Sequence, residues 1–234
     1  MKQIHFASID STNLYLKNNY ENYENLTFVS TDKQTSGKGR NGHIWESDDN
    51  NLLFSLLIKD QDLYSKANLL SILFAYIVIQ VLHDYGISNL SIKWPNDVYV
   101  NDKKICGILL EAISKKQIEC LIVGVGINVN QEKFKEEYKA ISLRNILAKE
   151  IKINEIKEKL YLKIIETIEK VKNGKDYYEE IKKYDYLVNK NVYVKINNEL
   201  QLVNVKGINK DYSLCVLLDN KEYNLNSGEV SLKV

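Results

Sequence analysis

Proline is nearly missing from this sequence. An average composition would supply roughly a dozen prolines in a chain of this length; there is one, Pro95. Arginine is almost as scarce: thirty of the thirty-two basic residues are lysine, leaving Arg40 and Arg144. The three cysteines, Cys106, Cys120 and Cys215, are odd in number and far apart. That spacing excludes a disulfide framework or a zinc-ligand set and fits a reduced, cytoplasmic setting. An excess of one charge is also lacking. The formal net charge is +1, which gives no electrostatic reason to expect a nucleic-acid binder. Long apolar runs are absent as well. The most apolar stretch, residues 69–82, is interrupted by Ser71, Tyr76 and Gln80; it is too short to cross a bilayer and suits a buried helix. The first residues, Met1-Lys2-Gln3-Ile4-His5-Phe6, have no signal-peptide character. A soluble protein without a membrane partner is expected.

What is present is ordinary globular material: 234 residues, 44% hydrophobic and 27% charged, enough for one large domain or a domain with a small appendage. Strand patterns occur at 4–9, 26–31 and 52–58, with a short helix after Ser11 or Asp10, either of which can cap it. A long apolar helix over 65–85 is closed by Gly86. A β-meander follows, with strands at 91–94, 98–100, 105–113 and 118–129 and a hairpin turn at Asn101-Asp102-Lys103. Residues 142–186 read as helical. Beyond them come short alternating strands joined by turns, among them Asn197-Asn198, the pattern of a small all-β barrel. The fold class is therefore α+β, with a boundary near Leu187 dividing 1–187 from 188–234.

Three segments can carry chemistry. Gly37-Lys38-Gly39-Arg40-Asn41-Gly42 matches G-x-G-x-x-G. Five polar residues separate it from the preceding strand and no helix follows, so the dinucleotide-binding reading fails. No kinase catalytic-loop signature follows either. A loop offering backbone N–H groups with Lys38 and Arg40 remains, suited to wrapping an anion or simply to lying on the surface. Lys93-Trp94-Pro95-Asn96-Asp97 holds the single proline, which forces a fixed turn at Asn96 and Asp97. Across the next hairpin, Lys104-Ile105-Cys106-Gly107 can bring the Lys104 ammonium near the Asp97 carboxylate at the mouth of an apolar strand. In Gly124-Val125-Gly126-Ile127-Asn128-Val129-Asn130, glycines inside a strand mark a bulge, tight packing or close approach of a ligand. Asn128 either reads a polar ligand edge or satisfies backbone groups.

These segments, together with Asp10-Ser11-Thr12-Asn13, Gln34-Thr35-Ser36, His43-Ile44-Trp45 and Gly228-Glu229-Val230-Ser231-Leu232, occur in the order found in biotin–protein ligases, and the chain resembles that family along essentially its whole length. The resemblance implies a mixed β-sheet catalytic domain with flanking helices, like that of class II aminoacyl-tRNA synthetases, and an SH3-like C-terminal barrel. It implies biotin and ATP as substrates with Mg²⁺, formation of biotinyl-5′-AMP, and transfer of biotin to a lysine of a carboxylase carrier domain. It assigns biotin to Ser11, Thr12, Asn13, Gln34, Gly37, Lys38, Gly39, Arg40, Lys104 and Gly107. ATP and the adenylate fall to Lys38, Arg40, Trp45, Lys93, Asn96 and Asn128, and the chemistry to Lys104, Arg40 and Asp97. No metal is expected on protein ligands, and a homodimer through a sheet edge is compatible with the family. With the Asp-Ser-Thr motif beginning at residue 10, no winged-helix DNA-binding domain and no DNA partner are expected. Two departures stand out: Lys38 and His43 occupy loop positions where the family usually has arginine, and Lys233 replaces another. A lipoate–protein ligase shares the fold and a Lys-x-x-Gly element, but this chain has no Arg-Arg-x-x-Gly-Gly-Gly stretch and its Lys-Trp-Pro-Asn-Asp favours biotin. An octanoyltransferase would need a nucleophilic cysteine. A non-catalytic anion-binding protein is the rival of another class.

Overall fold

The computed structural model describes residues 2–46, 48–196, 199–227 and 232–233. The expected turn at Asn197-Asn198 and, of the Gly228-Glu229-Val230-Ser231-Leu232 motif, all but Leu232 lie outside them. In chain order the elements are β1 (Gln3–Ile9), α1 (Thr12–Asn19), β2 (Phe28–Gln34), β3 (Leu52–Ile58), α2 (Ala67–Asp84), β4 (Leu90–Lys93), β5 (Asp97–Val100), β6 (Lys103–Ser114) and β7 (Ile118–Ile127). Then come α3 (Leu143–Leu147), α4 (Ile153–Lys172), α5 (Tyr178–Lys182), β8 (Asn191–Ile196), β9 (Glu199–Ile208), β10 (Leu214–Leu218), β11 (Lys221–Leu225) and β12 (Leu232–Lys233).

The first sheet has the order β1-β2-β3-β7-β6-β5-β4. Only its β1–β2 pair is parallel, so it is mixed, as expected. Every residue of β3 is buried, because both faces of this central strand are covered. On one face Phe54, Leu56 and Ile58 join Phe28, Val123 and Val125 in a core shared with α2 and α4. On the other, Leu57 joins Val29, Cys120, Ile122 and Leu16 of α1. The helical stretch Gln61–Asp84 runs beyond the apolar residues 69–82 and is, by length and composition, enough to span a membrane, but two thirds of its most apolar window is buried inside the protein, as a core helix would be. It stops at Gly86, whose φ of +76° suits the left-handed position after a helix.

The second sheet is antiparallel, ordered β11-β10-β9-β8-β12. Its Val192, Val194, Val205, Leu214 and Val216 belong to the same core as α2 and the first sheet. Trp94, 1% exposed, is pinned at the junction by donating its Nε1–H to the Tyr212 carbonyl at 3.1 Å.

Two expectations are corrected. The second strand begins at Phe28, two residues late, because Leu26 takes a left-handed φ of 60° that breaks the extended run. The helical region over 142–186 is three helices. α3 ends at Ala148, also left-handed at φ 52°, and α4 ends at Asn173 before Gly174 at φ +87°.

Candidate active site

The site begins with the alternation of β7. Cys120 and Ile122 point to the α1 face and pack there; two residues on, Gly124 and Gly126 occupy the same face. Without side chains they expose bare backbone, which two other side chains use. A Cβ on Gly124 would overlap the Asn13 amide, and one on Gly126 would come within 2.6 Å of the Trp45 ring. Gly107, paired with Gly126 across β6–β7, extends this floor. The strand glycines thus mark close approach, and the β7 ladder runs unbroken past them.

A bulge supplies the cation. The β5–β6 register shifts between Val98 and Tyr99, so Tyr99 pairs with Lys104 and Val98 with Cys106. One extra residue re-aims the strand, and Lys104 and Gly107, which would otherwise face opposite ways, line one cavity. There the Lys104 Nζ lies 2.8 Å from Asp97 Oδ1, both side chains largely shielded from water. The same ammonium sits 5.3 Å from the centre of the Trp45 ring. Lys93 also lines the cavity, its pKa lowered by burial and only partly restored by Asp97.

The opposite wall is a polar chain. Ser11 caps α1, its Oγ accepting from the Leu14 N–H, and Asp10 accepts from the Ser11 N–H at 2.7 Å. Gln34 Oε1 accepts from the Thr12 N–H at 2.8 Å and lies 3.0 Å from the Thr12 hydroxyl. Ser55 Oγ lies 2.6 Å from Thr12 Oγ1 and 2.5 Å from Asn13 Oδ1. The Asn13 Nδ2 donates to Glu111 at 2.7 Å.

The glycine loop folds back on itself. Gly39 N–H donates to the His43 carbonyl at 2.7 Å and Trp45 N–H to the Gly37 carbonyl at 3.0 Å, with Asn41 and Gly42 turning at positive φ. Arg40 reaches across: its guanidinium donates to Asn96 Oδ1 at 3.2 Å and to the Ser227 carbonyl beyond β11. Burial lowers its pKa while Asp97 opposes that shift. Asn96 is itself fixed, donating to the Ile108 carbonyl at 2.7 Å.

The cavity enclosed by these walls measures about 260 Å³, at the small end of ligand pockets. It brings together Ser11, Thr12, Asn13, Gln34, Lys38, Gly39, Arg40, Trp45, Lys93, Asn96, Asp97, Lys104 and Gly107, thirteen of the fifteen residues singled out from the sequence. Gly37 stands behind it, holding Trp45 through its carbonyl. Asn128 is the exception: β7 ends at Ile127, and the Asn128 amide donates to the Lys104 and Ile141 carbonyls, outside the cavity lining. In that position it supports the backbone of Lys104. Arg144 pairs with Glu132 at 2.7 Å, away from the cavity. Two residues of the polar chain escaped sequence reasoning, Ser55 and Glu111. Each is the one polar side chain in an otherwise apolar strand run, 52–58 and 105–113, and that was the available signal.

Residues 5–128 match the profile of the biotin/lipoate A/B protein ligase family, over half of the chain. The chain belongs to this family. Among curated relatives it is 38% identical over 120 residues to the bifunctional ligase/repressor BirA of Bacillus subtilis, a match covering 50% of this chain and 37% of that protein. It is 27% identical over 233 residues to BirA of Escherichia coli, covering 96% and 72%. Among solved structures, the biotin protein ligase from Aquifex aeolicus in complex with biotin and ATP aligns over 99% of this chain and 98% of that one, with 31% identity and a TM-score of 0.85. The fold is that of biotin protein ligases.

Proposed function

We propose that the protein is an ATP-dependent biotin–protein ligase. The observation that carries this reading is the convergence of Lys104, Lys38 and Arg40 on one small cavity whose other wall is the Thr12–Gln34 polar chain. Two anions, a carboxylate and a triphosphate, must be held together for the first step, and cations in a partly dry cavity lower that repulsion. The biotin carboxylate oxygen bonds to the α-phosphorus of ATP and the bond to pyrophosphate breaks, giving biotinyl-5′-AMP. In the second step a neutral lysine amine of a carrier domain bonds to the acyl carbon, AMP leaves, and the amine gives up a proton.

Lys104 faces the carboxylate and its acyl-phosphate successor, and Asp97 orients it and can accept the proton of the incoming amine. Arg40 and Lys38 cover the phosphates, and the folded loop excludes water from the mixed anhydride. Trp45, Lys93 and Asn96 serve the nucleotide side; Ser11, Thr12 and Gln34 serve the cyclic urea of biotin. The Mg²⁺ that accompanies ATP would be held mainly by phosphate oxygens and water; Asp97 is the one carboxylate among the described residues that line the cavity. We further read 1–187 as the catalytic unit and 188–234 as an SH3-like module, the partner as a biotin carrier domain, the setting as cytoplasmic, and a homodimer as compatible with the exposed sheet edge at β1.

Titration calorimetry tests the reading: biotin binds the isolated chain, and binds more tightly once ATP is present. Heat from lipoate and none from biotin would overturn it.

A further inference from the structure

Two of the lysines lining the cavity come from one face of the first sheet, and they are held in different ways. Lys93 pairs with Asp97 across β4 and β5, and Tyr99 pairs with Lys104 across β5 and β6. Paired residues share a face of a sheet, as do residues two apart, so these four side chains project together. Lys104 takes the carboxylate, with its Nζ 2.8 Å from Asp97 Oδ1. Among the described residues, no carboxylate oxygen comes within ion-pair distance of the Lys93 Nζ, and Asp97 acts on it only from farther away.

What half-buried Lys93 meets instead is neutral. Its Nζ lies 3.5 Å from the Tyr99 hydroxyl and 5.4 Å from the centre of the Tyr99 ring. That is the reach of a diagonal cross-strand pair and falls within cation–π range. Burial pushes the Tyr99 hydroxyl pKa up, so the group stays a phenol. A carboxylate would hold the ammonium and cancel its charge. A phenol ring holds it and leaves the charge for an anion in the cavity.

The Tyr99 ring is itself fixed. It stacks on Tyr186, with centroids 5.1 Å apart and planes 26° from parallel. Tyr186 is anchored at three points. Its N–H donates to the carbonyl of Ile92, the neighbour of Lys93 in β4, at 3.0 Å. Its hydroxyl donates to the Asp102 carboxylate, and the Lys190 Nζ sits 3.2 Å from its ring centre. The segment leading into the second sheet thus runs along the edge of β4 and supplies the support for a cavity lysine.

We propose that Tyr99, backed by Tyr186, is a positioning residue for Lys93 and keeps an uncancelled positive charge in the cavity for the phosphates of the nucleotide. Neither tyrosine lines the cavity; both act through the lysine. The proposal rests on the ligase reading, which brings a triphosphate to this wall.

The test uses the full chain with biotin present and α,β-methylene-ATP, which cannot release pyrophosphate, as the probe. Calorimetry gives the Kd of the nucleotide and of biotin, and thermal melts report folding. Tyr99→Leu weakens the nucleotide by about five- to thirty-fold, the worth of a shielded cation–π contact, and leaves biotin Kd unchanged. Tyr99→Phe, which keeps the ring, brings nucleotide affinity back close to wild type. In a Lys93→Ala background, Tyr99→Leu costs nothing further. If Tyr99→Leu does not fold, Tyr186→Leu carries the test with the same expectations. Unchanged nucleotide affinity in a folded Leu variant overturns the proposal. So does an equal loss with and without Lys93, an equal loss in biotin affinity, or a Phe variant as weak as Leu. A wild-type chain that binds the nucleotide and not biotin refutes the ligase reading, and the same cycle with nucleotide alone then decides the role of Tyr99. A wild-type chain that binds neither overturns both.

Discussion

Lys104 and Asp97 stand 2.8 Å apart across β5 and β6 because a single bulged residue lies between them in the ladder. Without that bulge the lysine would turn away from the cavity. The pair puts a held cation beside the Trp45 ring, above the glycine floor, where an anionic ligand would meet it.

Replacing Lys104 by Ala should remove adenylate formation. A lost charge at the developing acyl phosphate costs on the order of 10²- to 10³-fold, read as biotin-dependent pyrophosphate exchange. The melt should stay close to wild type, because the lysine is at the cavity mouth. A folded and fully active variant would refute the role given to Lys104.

Arg40→Ala should affect retention more than synthesis. The guanidinium ties the loop to Asn96 and to the Ser227 carbonyl, so its loss frees the loop from the turn and from the second sheet together. Free biotinyl-AMP should accumulate in solution, visible by chromatography of the filtrate. Unchanged retention would count against loop closure by Arg40.

Gly124→Ala forces a Cβ into the Asn13 side-chain amide, which Ser55 and Glu111 hold in place. Overpacking of this kind costs roughly 1–3 kcal/mol, measurable by chemical denaturation. Biotin affinity should fall alongside, since Asn13 is displaced from Ser55. A Gly86→Ala control, at a helix end with open space around it, should lower stability through its positive φ alone and leave biotin affinity as it was.

Cys106 is completely buried, and burial pushes its thiol pKa far up. It therefore cannot act as a thiolate nucleophile at neutral pH. Cys106→Ala should keep pyrophosphate exchange, and alkylating reagents should leave the native thiol unlabelled. Exchange that vanishes in a folded Cys106→Ala protein would point to a thioester route.

Much of this site can be read from the chain itself. The scarce residues were informative: Pro95 sits in the turn that fixes Asn96 and Asp97, and Arg40 ties the loop to that turn. Strand β3 falls at 52–58 as expected, because a run buried on both faces leaves no other reading. Lys104 and Asp97 meet as the hairpin suggested. What was illegible depends on contacts distant in sequence. Asn13 and Glu111 are 98 residues apart, and nothing local in either shows that they meet. Of the two readings open for Asn128, the structure shows the one that satisfies backbone groups: β7 ends one position earlier and the side chain turns to the Lys104 carbonyl. Within 142–186 the first break was hidden, because left-handed Ala148 is not a turn residue, whereas the second, at Asn173-Gly174, carried a signal that could have been read.

The central claim, that this cavity joins biotin to AMP, is tested most directly by exchange of labelled pyrophosphate into ATP. Exchange should require biotin, should be absent with lipoate, and should be lost in Lys104→Ala. Exchange that proceeds with lipoate and not with biotin, or that needs neither, would contradict it.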